Sequence, residues 1–138
     1  MSALDCIEKL VDRYFAYRPR RKPILATAPA HLIAHRGAHH RALSIQENTH
    51  AAFERALSLG CSGIEFDIHA SADGVLVVNH DPTLKRLWGH DVAIKMLRFD
   101  ELRALVPELP SLADVVAKYG KRMHLFIELL FDLFSANT

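Results

Sequence analysis

Residues 64–69, Ile64-Glu65-Phe66-Asp67-Ile68-His69, alternate between apolar and polar side chains with period two. Such a run predicts a β-strand whose successive side chains leave opposite faces. Ile64, Phe66 and Ile68 then share one face, and Glu65, Asp67 and His69 share the other. Two carboxylates side by side on an apolar strand require either a solvated face or a neutralising cation, because burying like charges together is costly. The pattern alone leaves both open: an edge strand wet on one side, or a strand end that holds a hard divalent cation such as Mg2+ or Ca2+.

The flanking sequence supplies the rest of an alternating strand and helix order. His31-Leu32-Ile33-Ala34 is a short apolar run ending at His35-Arg36-Gly37, which predicts a buried strand feeding a loop. Glu47-Asn48-Thr49 followed by Ala52, Phe53, Ala56 and Leu57 predicts a helix started by Asn48 or Thr49 and closed by Gly60. Ser71-Ala72-Asp73-Gly74 predicts a hairpin turn, since Asp-Gly tolerates the required positive φ. Val75 to Val78 form the return strand and run into Asn79-His80-Asp81-Pro82. Asp100 to Leu105 and Leu112 to Tyr119 read as two short helices separated by Pro107 and Pro110. Leu125 to Leu130 reads as a third core strand. The order implies an α/β fold on a parallel sheet.

The N-terminal 30 residues read differently. Leu4, Ile7, Leu10, Val11, Tyr14 and Phe15 recur at helical spacing over residues 4–17, and Arg18-Pro19-Arg20-Arg21-Lys22-Pro23 ends that helix in a basic, solvated linker. We therefore divide the chain into an appendage, residues 1–30, and a main domain, residues 31–138. Half of the 138 residues are hydrophobic, which suits one core-forming domain. Seventeen Lys and Arg against sixteen Asp and Glu leave no basic excess to argue for nucleic acid. No apolar run approaches the roughly 20 residues of a membrane span. Two cysteines, Cys6 and Cys61, are too few for a disulfide framework, and Asp5, Glu8 and Lys9 interrupt any leader-like stretch. A cytoplasmic setting is the expectation.

Four further residues carry chemistry. His35 and His80 each follow an apolar strand and precede a loop, where α/β folds place catalytic groups, although lone histidines there are often structural. A neutral imidazole and an imidazolium can serve as base and acid. Arg36, beside His35, offers a fork for phosphate. Glu128, inside the third strand, would join Glu65 and Asp67 as a third strand-borne acid. His39, His40, His50, His90 and His124 lack a patterned partner and read as surface or loop residues.

These stretches together carry a resemblance. LIAHRGA (32–38), ENTHAAFERALSLGCSGIEFDIHASADGVLVVNHD (47–81), LPSLADVV (109–116) and FIEL (126–129) resemble, in order and spacing, the glycerophosphodiester phosphodiesterase family. The resemblance implies a TIM-barrel-type hydrolase that splits glycerophosphodiesters into an alcohol and glycerol 3-phosphate with a divalent metal, Mg2+ or Ca2+. By matching position it implies His35 and His80 as the acid–base pair, Arg36 as the phosphate contact, and Glu65, Asp67 and Glu128 as metal ligands. It also implies attack first by the substrate's own glycerol hydroxyl, and a small insertion over about 70–111. Glu47 and Asn48, which match a family motif, are expected mainly to hold the first helix against the site.

Two departures set further expectations. The family pattern has a lysine two residues after the last metal-binding glutamate, where this chain has Leu130. A complete barrel needs roughly 200 to 250 residues, so the 138 residues here supply about three of eight strands, as in a truncated copy. Phe131, Leu133 and Phe134 follow the third strand without the elements that would cover it. The isolated chain is therefore expected to self-associate through that strand. Two function classes stay open: a phosphodiesterase, and a non-catalytic remnant that binds a phosphoester or associates with itself.

Overall fold

A computed structural model describes residues 30–130. The helix expected over residues 4–17, the basic stretch 18–23 and the apolar tail from Phe131 onward lie outside the described residues. Within them, a four-stranded sheet is built from β1 (Ile33–His35), β2 (Gly63–Ala70), β3 (Leu76–Val78) and β4 (His124–Leu129). Helix α1 (His50–Ser58) connects β1 to β2, and α2 (Lys85–Trp88), α3 (Phe99–Leu105) and α4 (Leu112–Tyr119) lie between β3 and β4. The α/β order expected from the sequence is present. Two single-turn 3-10 helices, Arg41–Leu43 and Ile94–Met96, and the four-residue α2 carry no periodicity long enough to read beforehand.

The whole arrangement turns on β2. Ile68 pairs with Val78 of β3 and with Leu129 of β4, and Gly63 pairs with Ile33 of β1 and with His124 of β4. One edge of β2 is thus lined by β4 from Gly63 to Ile68, and the other is shared between β1 and β3. Pairing with β1 and β4 is parallel and with β3 antiparallel. The edge-strand alternative for residues 64–69 is therefore excluded: β2 is the central strand.

Its two faces do different jobs. Ile64, Phe66 and Ile68 are buried against α1 and α4, in a core with Phe53, Ala56, Val115, Tyr119 and Met123. A second core gathers Val77, Leu84, Ile94, Leu102, Val106 and Leu109. Both longer helices start on defined caps. The Thr49 hydroxyl accepts from the Ala52 amide at the start of α1, and Ser111 and Asp114 cap each other reciprocally at the start of α4.

The third strand expected over residues 125–130 is present as β4, and it is uncovered among the described residues. It pairs in parallel, but Phe126, Ile127 and Leu129 are exposed. A run such as Leu-Phe-Ile reports hydrophobicity, not cover. Among the described residues, β4 is paired on one edge only.

Two glycines with the same backbone conformation separate torsional strain from crowding. Gly74, in the hairpin turn, has φ +79° and open space around a would-be Cβ. Gly37, which follows Arg36, has φ +77°, but a Cβ there would meet Ala52 Cβ at 2.8 Å and Phe53 Cδ1 at 2.9 Å. Gly74→Ala is expected to cost about 1–2 kcal/mol of left-handed strain. Gly37→Ala should cost about 1–3 kcal/mol more, because its methyl group overpacks α1. Urea unfolding of both variants measures the difference, and equal losses would show that α1 does not crowd the loop.

Candidate active site

Strand register assembles the site. In parallel pairing His35 lies opposite Glu65, and Asp67 lies opposite Glu128. Paired residues on neighbouring strands project from the same face, so the three acids and His35 emerge together. One ligand oxygen from each of Glu65, Asp67 and Glu128 lies within 4.8 Å of the others. His35 Nε2 stands 3.8 Å from Glu65 Oε2. Asp67 is 1% exposed, while Glu128 and His35 face solvent, so the cluster opens outward from a buried carboxylate.

Buried Asp67 is the electrostatic problem that the surrounding residues answer. Its Oδ2 accepts from Asn48 Nδ2 at 3.0 Å and lies 3.4 Å from Arg36 Nε. Its Oδ1 is buried without a hydrogen-bond partner. Native proteins rarely leave such an atom unpaired without a functional reason. Hard divalent cations take carboxylate oxygens, and an orphaned oxygen beside two further carboxylates fits that donor set. Arg36 and Asn48 both adopt left-handed backbone, φ 55° and 56°. Asn tolerates this conformation, whereas Arg gains no local compensation for it. The kink is held by the Arg36 amide donating to Glu65 Oε2 at 3.1 Å and by Arg36 O accepting from the Asn48 amide at 3.0 Å.

Glu47 and Asn48 therefore do more than hold the first helix, as expected of them. Thr49 caps α1, while Asn48 contacts the buried acid and Glu47 bridges two cations. One Glu47 oxygen, Oε1, accepts from Arg36 Nη1 at 3.1 Å and from Arg86 Nη2 at 2.6 Å. Burial pushes the Glu47 carboxyl up, but Arg86 and Arg36 together outweigh it and hold the group below the usual range. Arg36, expected as a phosphate contact, has its fork directed at carboxylates. Glu47 and Arg86 also line a cleft of about 620 Å³ with His39, Arg41, Gln46 and Leu87.

His80 is held at three levels. His69 Nε2 donates to the His80 carbonyl at 2.9 Å. Asn79 Nδ2 donates to the Asp81 carbonyl at 2.7 Å, and Asn79 itself is fixed by Trp88 Nε1 at 3.2 Å. The His80 ring then meets Asp81, with Nδ1 at 2.7 Å from Oδ1. Arg86 grips both oxygens of Asp81, Nε to Oδ2 at 2.6 Å and Nη2 to Oδ1 at 3.1 Å. That grip is the main reason the Asp81 carboxyl falls to about 2, with the His80 contact assisting against partial burial.

The sequence placed His69 on the polar face of β2 but foretold no partner for it, and it did not single out Asp81 or Arg86. Asp81 stands next to His80, so adjacency was a usable signal. Arg86 lies on a four-residue helix after Pro82 and reaches Glu47 across 39 positions, which no local pattern reports. Of the histidines read as surface or loop residues, His50 departs from that reading. It begins α1 and its Nδ1 lies 3.3 Å from the hydroxyl of buried Tyr119. Burial first, with Lys118 adding, lowers the His50 pKa.

Comparison with known proteins agrees with this assembly. A glycerophosphodiester phosphodiesterase of Caldanaerobacter subterraneus is 42% identical over 91 residues, which are 66% of this chain and 33% of that protein. The crystal structure of the Thermotoga maritima glycerophosphodiester phosphodiesterase superposes with a TM-score of 0.67 at 33% identity, covering 75% of this chain and 46% of that one. An Oleispira antarctica phosphodiesterase, solved with the product sn-glycerol-3-phosphate, superposes with a TM-score of 0.58 at 31% identity, covering 72% and 44%. The chain thus spans about a third of its first curated relative and under half of these solved structures. Its sheet and helices are part of a TIM-barrel-type fold. A model of the glycerophosphoryl diester phosphodiesterase family matches residues 35–136, from His35 through β4 and past Glu128, and on that match the chain belongs to this family.

Proposed function

We propose that this chain carries the metal-dependent phosphodiester-cleaving site of its family and acts on glycerophosphodiesters, releasing an alcohol and glycerol 3-phosphate. The observation that carries the reading is the convergence of Glu65, Asp67 and Glu128 around a buried, unpartnered Asp67 oxygen, with His35 at its rim. These three carboxylates are the proposed ligands of one Mg2+ or Ca2+. Bound there, the cation would supply charge stabilisation to the phosphate oxygens as the P–O bond breaks.

The side chains divide the remaining work. One of His35 and His80 takes the proton of the attacking hydroxyl, and the other donates a proton to the leaving alkoxide. Arg36, whose Nη1 and Nε are turned to Glu47 and Asp67, would meet the phosphate through its remaining Nη2, from a backbone kink pinned at both ends. The cleft beside Glu47 and Arg86 gives the alcohol portion room. No helix among the described residues is long and apolar enough to cross a membrane. An unbridged, buried Cys61 suits a reducing, cytoplasmic setting.

A second reading is favoured by β4. Leu130 stands where the family pattern has a cation, and Phe126, Ile127 and Leu129 are exposed on a strand with one open edge among the described residues. Such a surface is a template for pairing with another copy. On this reading the chain binds a phosphoester or associates with itself without turnover. Light scattering on purified protein, paired with a hydrolysis assay, separates the two: a monomer with metal-dependent turnover removes the second reading.

Calorimetric titration of the chain with Mg2+ and Ca2+ should show one site, weakened at least about tenfold in Glu65→Gln through loss of a charged ligand. Unchanged affinity in that variant would remove the carboxylate cluster as the site.

Hydrolysis of glycerophosphocholine should fall by about 10²- to 10⁴-fold in both His35→Ala and His80→Ala. Near-normal turnover in either variant would assign the proton transfer elsewhere.

A further inference from the structure

We infer that Asp81 and Arg86 are positioning residues that lock the His80 imidazole in the Nδ1–H tautomer and leave the Nε2 lone pair free to accept a proton. The inference deepens the proposed function and rests on His80 being one of its proton-transfer groups. It starts from a short contact, His80 Nδ1 to Asp81 Oδ1 at 2.7 Å. A carboxylate has no proton to give, so the hydrogen in that bond belongs to the imidazole. Arg86 keeps Asp81 ionised and immobile by holding both of its oxygens in a fork.

The arrangement is anchored at its far end as well. Arg86 Nη2 also reaches Glu47 Oε1 at 2.6 Å, and that same oxygen accepts from Arg36 Nη1 at 3.1 Å. A continuous chain therefore runs from His80 through Asp81, Arg86 and Glu47 to Arg36. It ties the orientation of the proposed proton-transfer ring to that of the proposed phosphate contact. The His80 main chain is pinned separately by His69, so loss of Asp81 frees the ring rather than the loop. A side chain that holds a catalytic histidine in one tautomer and one orientation is worth a large share of the rate where it has been removed.

The test reads the tautomer directly. Long-range proton–nitrogen correlation spectra of the ¹⁵N-labelled chain, at mildly alkaline pH where imidazole is neutral, report which ring nitrogen carries hydrogen. The His80 signal is identified by its loss in His80→Gln. Wild-type His80 should show hydrogen on Nδ1 and a lone pair on Nε2. Asp81→Ala should shift the ring toward the Nε2–H form that an unrestrained imidazole favours. Arg86→Gln should shift it part of the way, and Arg86→Lys should not restore it, because an ammonium cannot reproduce the fork. The other histidine signals report that each variant keeps its fold. Should Asp81→Ala fail to fold, the wild-type tautomer and the two Arg86 variants still decide. In an active preparation, both Asp81→Ala and Arg86→Gln should lower kcat on the order of 10²-fold with little change in KM. Hydrogen on Nε2 in the wild type, or a tautomer unmoved by Asp81→Ala, would overturn the inference. If the tautomer responds as expected while His80→Ala keeps full turnover, the positioning stands and the catalytic role of His80 falls instead.

Discussion

A carboxylate buried in the middle of a sheet is the constraint on which this site depends. Asp67 sits on the central strand, 1% exposed, with neighbours pairing on both edges. An isolated charge in that position would be several kcal/mol unfavourable. Its compensation comes from the loop after β1, through Asn48 and Arg36, rather than from its own strand. The loop can reach it only because Arg36 and Asn48 accept left-handed backbone and because Gly37 lets α1 approach without a side chain between. One buried acid thus accounts for the sequence around His-Arg-Gly and for that around Glu-Asn-Thr.

Register then turns a strand into a site. Had β4 been offset by one residue against β2, Glu128 would leave the opposite face and the acidic cluster would lose a member. The observed pairing sets Asp67 against Glu128 and Glu65 against His35, so three strands present their polar groups at one place. The same alternation sends Ile64, Phe66 and Ile68 into the core with α1 and α4. Packing energy on one face of β2 therefore fixes the chemistry on its other, since β2 cannot slip by one residue without moving Ile64, Phe66 and Ile68 out of the core.

Much of this was legible. The period-two run at 64–69 announced both faces of β2 correctly, because its apolar half packs into the core and its acids emerge together on the other side. Asp73-Gly74 announced its hairpin through backbone chemistry that neighbours do not alter. What the sequence could not resolve was whether the acidic face was wet or buried, which depends on how many strands flank β2. Phe126 and Ile127 marked β4 as a strand but could not say which of its faces would be covered. The sequence missed Arg86 because the contacts that give this residue meaning, to Asp81 and Glu47, come from tertiary structure. His50 was misread as a surface residue because its partner, Tyr119, lies at the end of another helix.

The segment between β3 and β4 explains how so short a helix as α2 can hold Arg86 steady. Four residues form barely one turn and have little stability of their own. Leu84, immediately before the helix, is fully buried with Ile94, Leu102 and Leu109, and Trp88 at its end donates to Asn79. The segment is thus anchored by an apolar residue at one end and by a buried polar contact at the other. Lys85 points the opposite way, toward exposed Asp91. That leaves Arg86 facing Asp81 and Glu47, two acids from different loops that would repel each other without it. The second hydrophobic core therefore acts at a distance: it fixes a guanidinium between two carboxylates, and through them it restrains the His80 ring and the Arg36 side chain.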